Sequence, residues 1–483
     1  MTLRKDLNTR ACCVAATLLM VLGWNSCSME GDGRSQGDLL IGMAEVNYTP
    51  AVGLDMVGNY RGDDYGSRGV HDSLYARALV ASDRQGNRAA ILSVDICYLK
   101  KEAVDLMRGY ITSHTDIPPG NIMIHGTHTH SGPKSDVDAP QAKDYLRKAA
   151  DAVILAAERL EPARLSVGRT TEDRVSFTRR LRCRDGSTRM VWEGLDPDFV
   201  VERLGSKDDE MIVVSVDQDG ASTGVMVNFA CHPTNLTGSN WLWSADYPGD
   251  IAESLKKVYG EEYIPMFING CCGNVTQVDY NVGFIDTYQE CERMGYILGV
   301  GAIRAIRDQQ PVGGNVVDVS SEMVPVKHMG ISDQQLDWAR EVMEKVEREG
   351  MPPLQQDGIP DAVYAQKWVD MYRTQEEYDS LEVMVVRIGE LAFVGLPGEM
   401  FAEFGMTIKA SSPFRNTLVM GLANDSRGYF PTIEAYSEGP DGFTPMITGY
   451  ETTPGTSRYE IGAGEKLTAS AIAQLKQISG KNQ

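Results

Sequence analysis

The chain has 483 residues, and its 46 Lys+Arg against 67 Asp+Glu leave a formal net charge of −21. Hydrophobic residues at 42% with 23% charged are ordinary for a globular protein and exclude a disordered chain. The acidity, with no basic stripe interleaved with aromatics, excludes a nucleic-acid surface, because phosphate binding needs concentrated Lys and Arg.

Arg4, Lys5 and Arg10 precede an apolar run from Ala11 to Trp24. That is a charged n-region and an h-region too short to span a bilayer comfortably. Residues 1–27 therefore read as an export signal. Two outcomes stand at its end. Cleavage releases a soluble chain, or Cys27 becomes a lipidated N-terminus of the bacterial lipoprotein type, although Trp24 departs from the usual aliphatic residue there. Residues 28–37 read as a flexible tether and 38–480 as one large folded domain. The mature chain is then periplasmic, cell-surface or secreted, and meets a membrane only through lipid on Cys27. In an oxidising compartment Cys97, Cys183, Cys231, Cys271, Cys272 and Cys291 are free to form disulfides whose connectivity spacing does not fix.

Ala89–Leu99 is a β-rich apolar run. A helix follows with Val104, Met107 and Ile111 on one face, stopped by Pro118-Pro119-Gly120. Asn121–Gly126 and Thr223–His232 read as buried strands. Pro248 suits a first helical turn, with Ile251, Leu255 and Val258 as the apolar stripe. Tyr263–Gly270 is a strand entering a Gly/Cys loop. Ser332 and Gln335 predict a capping box for a helix running to about Gly350, and a second charged helix follows the loop that ends at Pro360. Both belong to an elaboration. Leu381–Gly389 and Leu391–Leu396 are β runs with a turn at Gly389-Glu390, and the segment from Gly398 is predicted helical. The alternation suggests one large α/β or α+β domain whose strands feed functional loops.

The chain has seven His, and three of them, His125, His128 and His130, lie in one short segment. Directly after a strand, His128 and His130 would point to the same side, which suits a metal ligand beside a catalytic base. An isolated HxH more often marks hydrogen-bonded loop histidines. His232 again ends a predicted strand. Glu399 follows a Pro-Gly turn at the expected start of a helix, where the dipole favours its anion. Two imidazoles and one carboxylate are a common zinc set with room for a water.

Six segments occur in the same order as in the neutral/alkaline ceramidases, which the chain resembles. They are Gly69–Val80, His128–Pro133, Phe229–Pro233, Gly273–Gln277, Leu396–Phe401 and Asn424–Tyr436. The resemblance implies a layered αββα sandwich with mixed β-sheets and one zinc ion held by His128, His232, Glu399 and Tyr429, with Tyr450 as the rival tyrosine. It implies that His130 handles protons and that Arg179 contacts polar groups of the substrate, Arg180 being the alternative if the register slips. Thr276 stands where the family usually carries a Ser, followed by Gln277 instead of Pro. The Gly270–Gly273 loop could bring backbone N–H groups to an oxyanion, and Asp246 lies in a polar loop where it could also cap the Pro248 helix.

The implied function is a zinc amidohydrolase that cleaves an N-acyl bond, with ceramide giving sphingoid base and fatty acid. The substrate is thus a lipid or small molecule, and no protein partner is indicated. The alternatives are a zinc hydrolase of the same fold acting on another amide or ester, such as an acylated glycan, and a surface lipoprotein that only binds a ligand. The chain departs from the family in three places. With the last motif lying close to Gln483, the C-terminal β-sandwich domain of full-length ceramidases is expected to be absent. Lys134-Ser135 replace a Gly pair, and an insert spans Ser437–Ser457.

Overall fold

The computed structural model describes residues 39–480 apart from 63, 352–358 and 440–447. The expected signal, tether and Cys27 anchor lie outside the described residues, as does the middle of the Ser437–Ser457 insert. The described residues belong to one compact unit.

Alternation of side chains along the strands builds the layers. In the strand Glu210–Gln218, Ile212, Val214 and Val216 face one core, and Met211 and Val213 face another. In Tyr378–Ile388, Met384, Val386 and Ile388 face the first of these cores, and Leu381, Val383 and Val385 turn to a third. The shared core is the seam between two sheets. Helices Lys101–His114, Pro140–Glu158, Tyr247–Tyr259 and Tyr288–Arg307 cover the outer face of the larger sheet. Helices Ala402–Ser411 and Ala463–Gly480 cover the outer face of the smaller one. The result is the layered αββα sandwich with mixed sheets that the resemblance implied.

The large sheet has nine strands. Its centre is antiparallel, and each end carries a parallel pair: Ala221–Phe229 beside Ile264–Asn269, and Arg88–Val94 beside Ile122–Gly126. The sheet coils until these ends approach. Ser93 Oγ donates to the Phe267 carbonyl (2.7 Å), and Asn269 Nδ2 donates to the Thr127 carbonyl (3.1 Å). The small sheet runs Val317–Lys327, Tyr378–Ile388, Leu391–Gly395, Asn416–Met420. Asn228 Nδ2 donates across to the Val419 carbonyl (3.1 Å) and ties the two sheets together beside the coiled ends.

Several local expectations hold. Val104, Met107 and Ile111 are buried, and the Ser332–Gln335 capping box starts the helix Asp333–Glu349. In the Tyr247–Tyr259 helix Ile251 and Leu255 are buried, but Val258 faces solvent because the stripe ends one turn earlier than expected. All six cysteines of the described region are buried and unbonded, so none of the disulfides that export would allow is present. Among the described residues, no helix is long and apolar enough to cross a membrane.

Candidate active site

The parallel strand pairs deliver the histidines. Ile122–Gly126 ends just before His128, Ala221–Phe229 ends three residues before His232, and the coiling of the sheet brings the two together. The carboxylate comes from the small-sheet side. Glu399–Met400 forms a two-residue parallel pair with Tyr429–Phe430, which sets Glu399 directly beside Tyr429. Glu399 therefore lies in a strand, and the helix begins only at Ala402. The expected helix-terminus stabilisation of its anion is replaced by two imidazoles. Likewise His128 and His130 are not an extended pair: His128 has φ +79°, a strained value for a non-glycine residue. The rings still meet, with centroids 4.9 Å apart and edge to face.

His128 Nδ1 donates to the Cys97 carbonyl (2.7 Å), and His232 Nδ1 donates to the carbonyls of Cys272 (2.7 Å) and Val275 (2.9 Å). These bonds fix the tautomer and leave the Nε2 lone pair of each ring pointing inward. His128 Nε2 lies 3.2 Å and His232 Nε2 3.1 Å from the same oxygen, Glu399 Oε2. Donors at zinc bond lengths in a tetrahedron stand about 3.3 Å apart, so the spacing fits one such ion. His128 Nε2 is buried and has no hydrogen-bond partner, as a vacant ligand atom would be. Cys97, His128 and His130 form another close group, but there Nδ1 of His128 is already committed to the Cys97 carbonyl.

The electrostatics agree with a cation here. Burial pushes the Glu399 carboxyl up, yet His128 and His232 outweigh it and hold the group well below the usual carboxylate range. Burial pushes His128 down, and Cys97 and Glu399 outweigh it and raise the group above its ordinary value. Burial, then His128 and His232, keep His130 well below its ordinary value and therefore neutral. Both ring nitrogens of His130 are buried and without a partner.

The structure gathers His128, His130, His232, Glu399, Tyr429 and Arg179. Tyr429 OH is 3.4 Å from His232 Nε2, and burial followed by Glu399 raises its pKa well above the ordinary value. Arg179 Nη1 is 3.3 Å from His232 Nε2, and its guanidinium stacks 5.3 Å from the rings of both Tyr429 and Trp192. Tyr450, the rival tyrosine, stands edge-on to Tyr429 at 5.4 Å. Arg180 turns instead to Glu438 and to the carbonyls of Ala435 and Thr448.

Other expectations change. The hydroxyl of Thr276 donates to Gln277 Oε1 (3.1 Å) and accepts from Val278 N. The N–H groups of Gly270 and Gly273 donate to the carbonyls of Phe229 and Met400, so neither is free for an oxyanion. Gly273 has a different task, since a Cβ there would fall on the Glu399 carbonyl. Asp246 caps the Tyr247–Tyr259 helix and also accepts from Asn235 Nδ2 and Leu236 N. Sequence reasoning missed Cys97, Trp192 and Glu451. Glu451 is fully buried between Arg179 and Arg180, and the demand of two adjacent arginines for an anion was its one signal.

Residues 39–295 match the model of the family described as neutral/alkaline non-lysosomal ceramidase, N-terminal, which is more than half of the chain. A neutral ceramidase of Drosophila pseudoobscura pseudoobscura is 26% identical over 274 residues, covering 52% of this chain and 36% of that protein. Neutral ceramidase 2 of Arabidopsis thaliana is 26% identical over 231 residues, covering 45% and 30%. The chain thus spans about a third of the length of the curated relatives it matches. The solved structure of neutral ceramidase from Pseudomonas aeruginosa superposes with a TM-score of 0.70 at 19% identity, covering 91% of this chain and 75% of that one. A structure described as ceramidase complexed with C2 gives 0.68 at 18%, covering 92% and 75%. With the family model spanning the strands that deliver both histidines, the chain belongs to the neutral/alkaline non-lysosomal ceramidase family.

Proposed function

We propose that the chain is an exported zinc hydrolase that cleaves the N-acyl bond of a ceramide-like lipid to an amine and a fatty acid. One observation carries the reading: two buried, inward-facing imidazole nitrogens and a carboxylate oxygen converge within ligand-to-ligand distance. His128, His232 and Glu399 would hold one zinc ion, with Tyr429 beside them. Bound there, zinc supplies Lewis-acid polarisation of a carbonyl and a lowered pKa for water. The rest falls to the chain's own groups. His130, neutral and with both nitrogens unengaged, takes a proton from the attacking water as its oxygen bonds to the acyl carbon. The same proton passes to the nitrogen as the C–N bond breaks, which gives a carboxylic acid and a neutral amine, and the acid's own proton then moves to the amine, so the products leave as a carboxylate and an ammonium. Arg179 and Tyr429 face the oxygen on which negative charge develops.

The test is release of sphingoid base from detergent-solubilised ceramide, followed by mass spectrometry. Zinc-loaded protein is compared with His128→Ala. Release by the wild type alone supports the reading. No release from protein holding one zinc sinks ceramide as substrate and turns the search to other amides and esters, acylated glycans included.

A further inference from the structure

The reaction centre is walled on one side by the returning segment Thr448–Ser457, the described end of the insert. Tyr429 N donates to the Thr456 carbonyl (3.0 Å), so this segment is hydrogen-bonded to the strand that carries Tyr429. Tyr450 contributes a ring to the wall, edge-on to Tyr429 and 5.9 Å from Trp192. The next residue, Glu451, divides its carboxylate. One oxygen accepts from Arg179 Nε (2.7 Å) and the other from Arg180 Nη1 (2.8 Å). All three side chains are at most 5% exposed, so the ion pairs work in a dry environment. Gly449 has φ +93°, and a Cβ there would lie 2.5 Å from Arg180 Nη1, so a glycine lets the backbone come this close.

We propose that Glu451 is a positioning residue for Arg179. It grips the guanidinium by Nε and sets its plane, so that Nη1 meets His232 and Nη2 is left to receive an oxygen of the acyl group. Arg179 Nη2 is buried and has no hydrogen-bond partner. A guanidinium held only by stacking on Tyr429 and Trp192 could rotate about its last torsions, whereas one fixed at Nε presents its remaining N–H edge in a single direction. Arg180 anchors the same carboxylate from outside through Glu438 and the carbonyls of Ala435 and Thr448. The segment that reads in the sequence as an insert thus supplies the group that orients a site arginine. The assignment rests on the acyl-hydrolase reading for the identity of the oxygen bound.

The test is a double-mutant cycle with Arg179→Gln, Glu451→Gln and the double variant, all zinc-loaded and checked for metal content and melting temperature. The readout is the dissociation constant for octanoate, a carboxylate with an acyl chain, by calorimetry. Each single change is expected to weaken octanoate by roughly 10- to 100-fold, the size of one lost charged hydrogen bond. The double variant is expected to be no weaker than Arg179→Gln alone. Additive losses overturn the assignment, as does unchanged affinity in either single variant or a wild type that fails to bind octanoate. A folded Glu451→Gln that no longer holds zinc also overturns it, because Glu451 would then support the metal ligands. If Glu451→Gln does not fold, Glu451→Asp, which keeps the charge and shortens the reach, carries the same expectations. Arg179-dependent octanoate binding by a protein that cleaves no acyl compound would sink the proposed reaction and leave this assignment standing.

Discussion

The reaction centre and the helical pair Asp333–Glu349 and Asp361–Thr374 are held together in opposite ways. The centre draws on five segments separated in sequence, and main-chain carbonyls pin both of its inward-facing imidazoles. The helical pair is local. A capping box starts it, and a small core of Ile331, Leu336, Ala339, Ala365 and Trp368 closes it. The two regions meet where Trp368 Nε1 donates to the Pro454 carbonyl (2.8 Å), in the segment that also supports Tyr429. The difference teaches where each kind of damage should appear. The centre tolerates no displacement, because its geometry is the function. The pair should lose stability in small local steps.

The largest expected effect is at the centre. His128→Ala, His232→Ala and Glu399→Gln should each lower the acyl-hydrolase rate on the order of 10³-fold or more, beyond the loss of one transition-state donor. They should also lose zinc, measured by elemental analysis of dialysed protein. A variant that keeps both metal and rate would show that its side chain is no ligand. Next comes Gly273→Ala, which touches no ligand side chain but pushes on the backbone of Glu399. Overpacking there should destabilise by about 1–3 kcal/mol. A shift of the carboxylate by a fraction of an ångström should cut the rate by roughly 10²-fold. Normal kinetics in this variant would mean that the Glu399 strand can slide without cost.

A pH effect follows from the support behind His232. Burial, then the carboxylates of Asp72 and Asp246, lift Asp250 to about 7, and burial lifts Asp246 to about 6. Unfolded carboxyls titrate near 4, so between about pH 4 and pH 7 the native state binds more protons than the unfolded chain. Their contribution to stability is therefore full at the acid end of this window and is lost as pH rises through it. Urea midpoints of wild type and Asp250→Asn, measured at pH 5 and pH 8, isolate the term. The wild type should lose more stability than the variant over this interval. Equal losses would show that Asp250 titrates normally in the folded protein.

What was legible in the sequence follows the same division. The strand ends could be read because apolar runs stop just before His128 and His232, and motif order joined them to Glu399 and Tyr429. The backbone at His128 could not be read, since nothing in His-Thr-His announces a positive φ. The strand at Glu399 is two residues long and paired only with distant Tyr429, so it carries no periodic signal, and the Pro-Gly turn before a helical run pointed to a helix start instead. Glu451 was hard to find for a similar reason: the two arginines that call for an anion lie about 270 residues upstream. The coiling that brings the sheet ends together rests on Ser93 and Asn269, two polar residues in otherwise apolar strands, and they became informative only once the sheet order was known.

Ser332→Ala is the smallest expected effect and tests the comparison from its other side. Ser332 Oγ accepts from Gln335 N (3.2 Å), and Gln335 Oε1 accepts from Ser332 N (2.9 Å). Alanine removes the first bond and leaves the second, so the loss should be about 1 kcal/mol, read as a small drop in melting temperature. The rate should not change, because the cap belongs to a locally built helix and the Trp368–Pro454 bond to the centre is made from its partner helix. A fall in rate out of proportion to the fall in stability would mean that the two regions are coupled more tightly than one hydrogen bond allows. The Pro454–Ser457 segment, where Trp368 and Tyr429 are both anchored, would then be the place to look for the coupling.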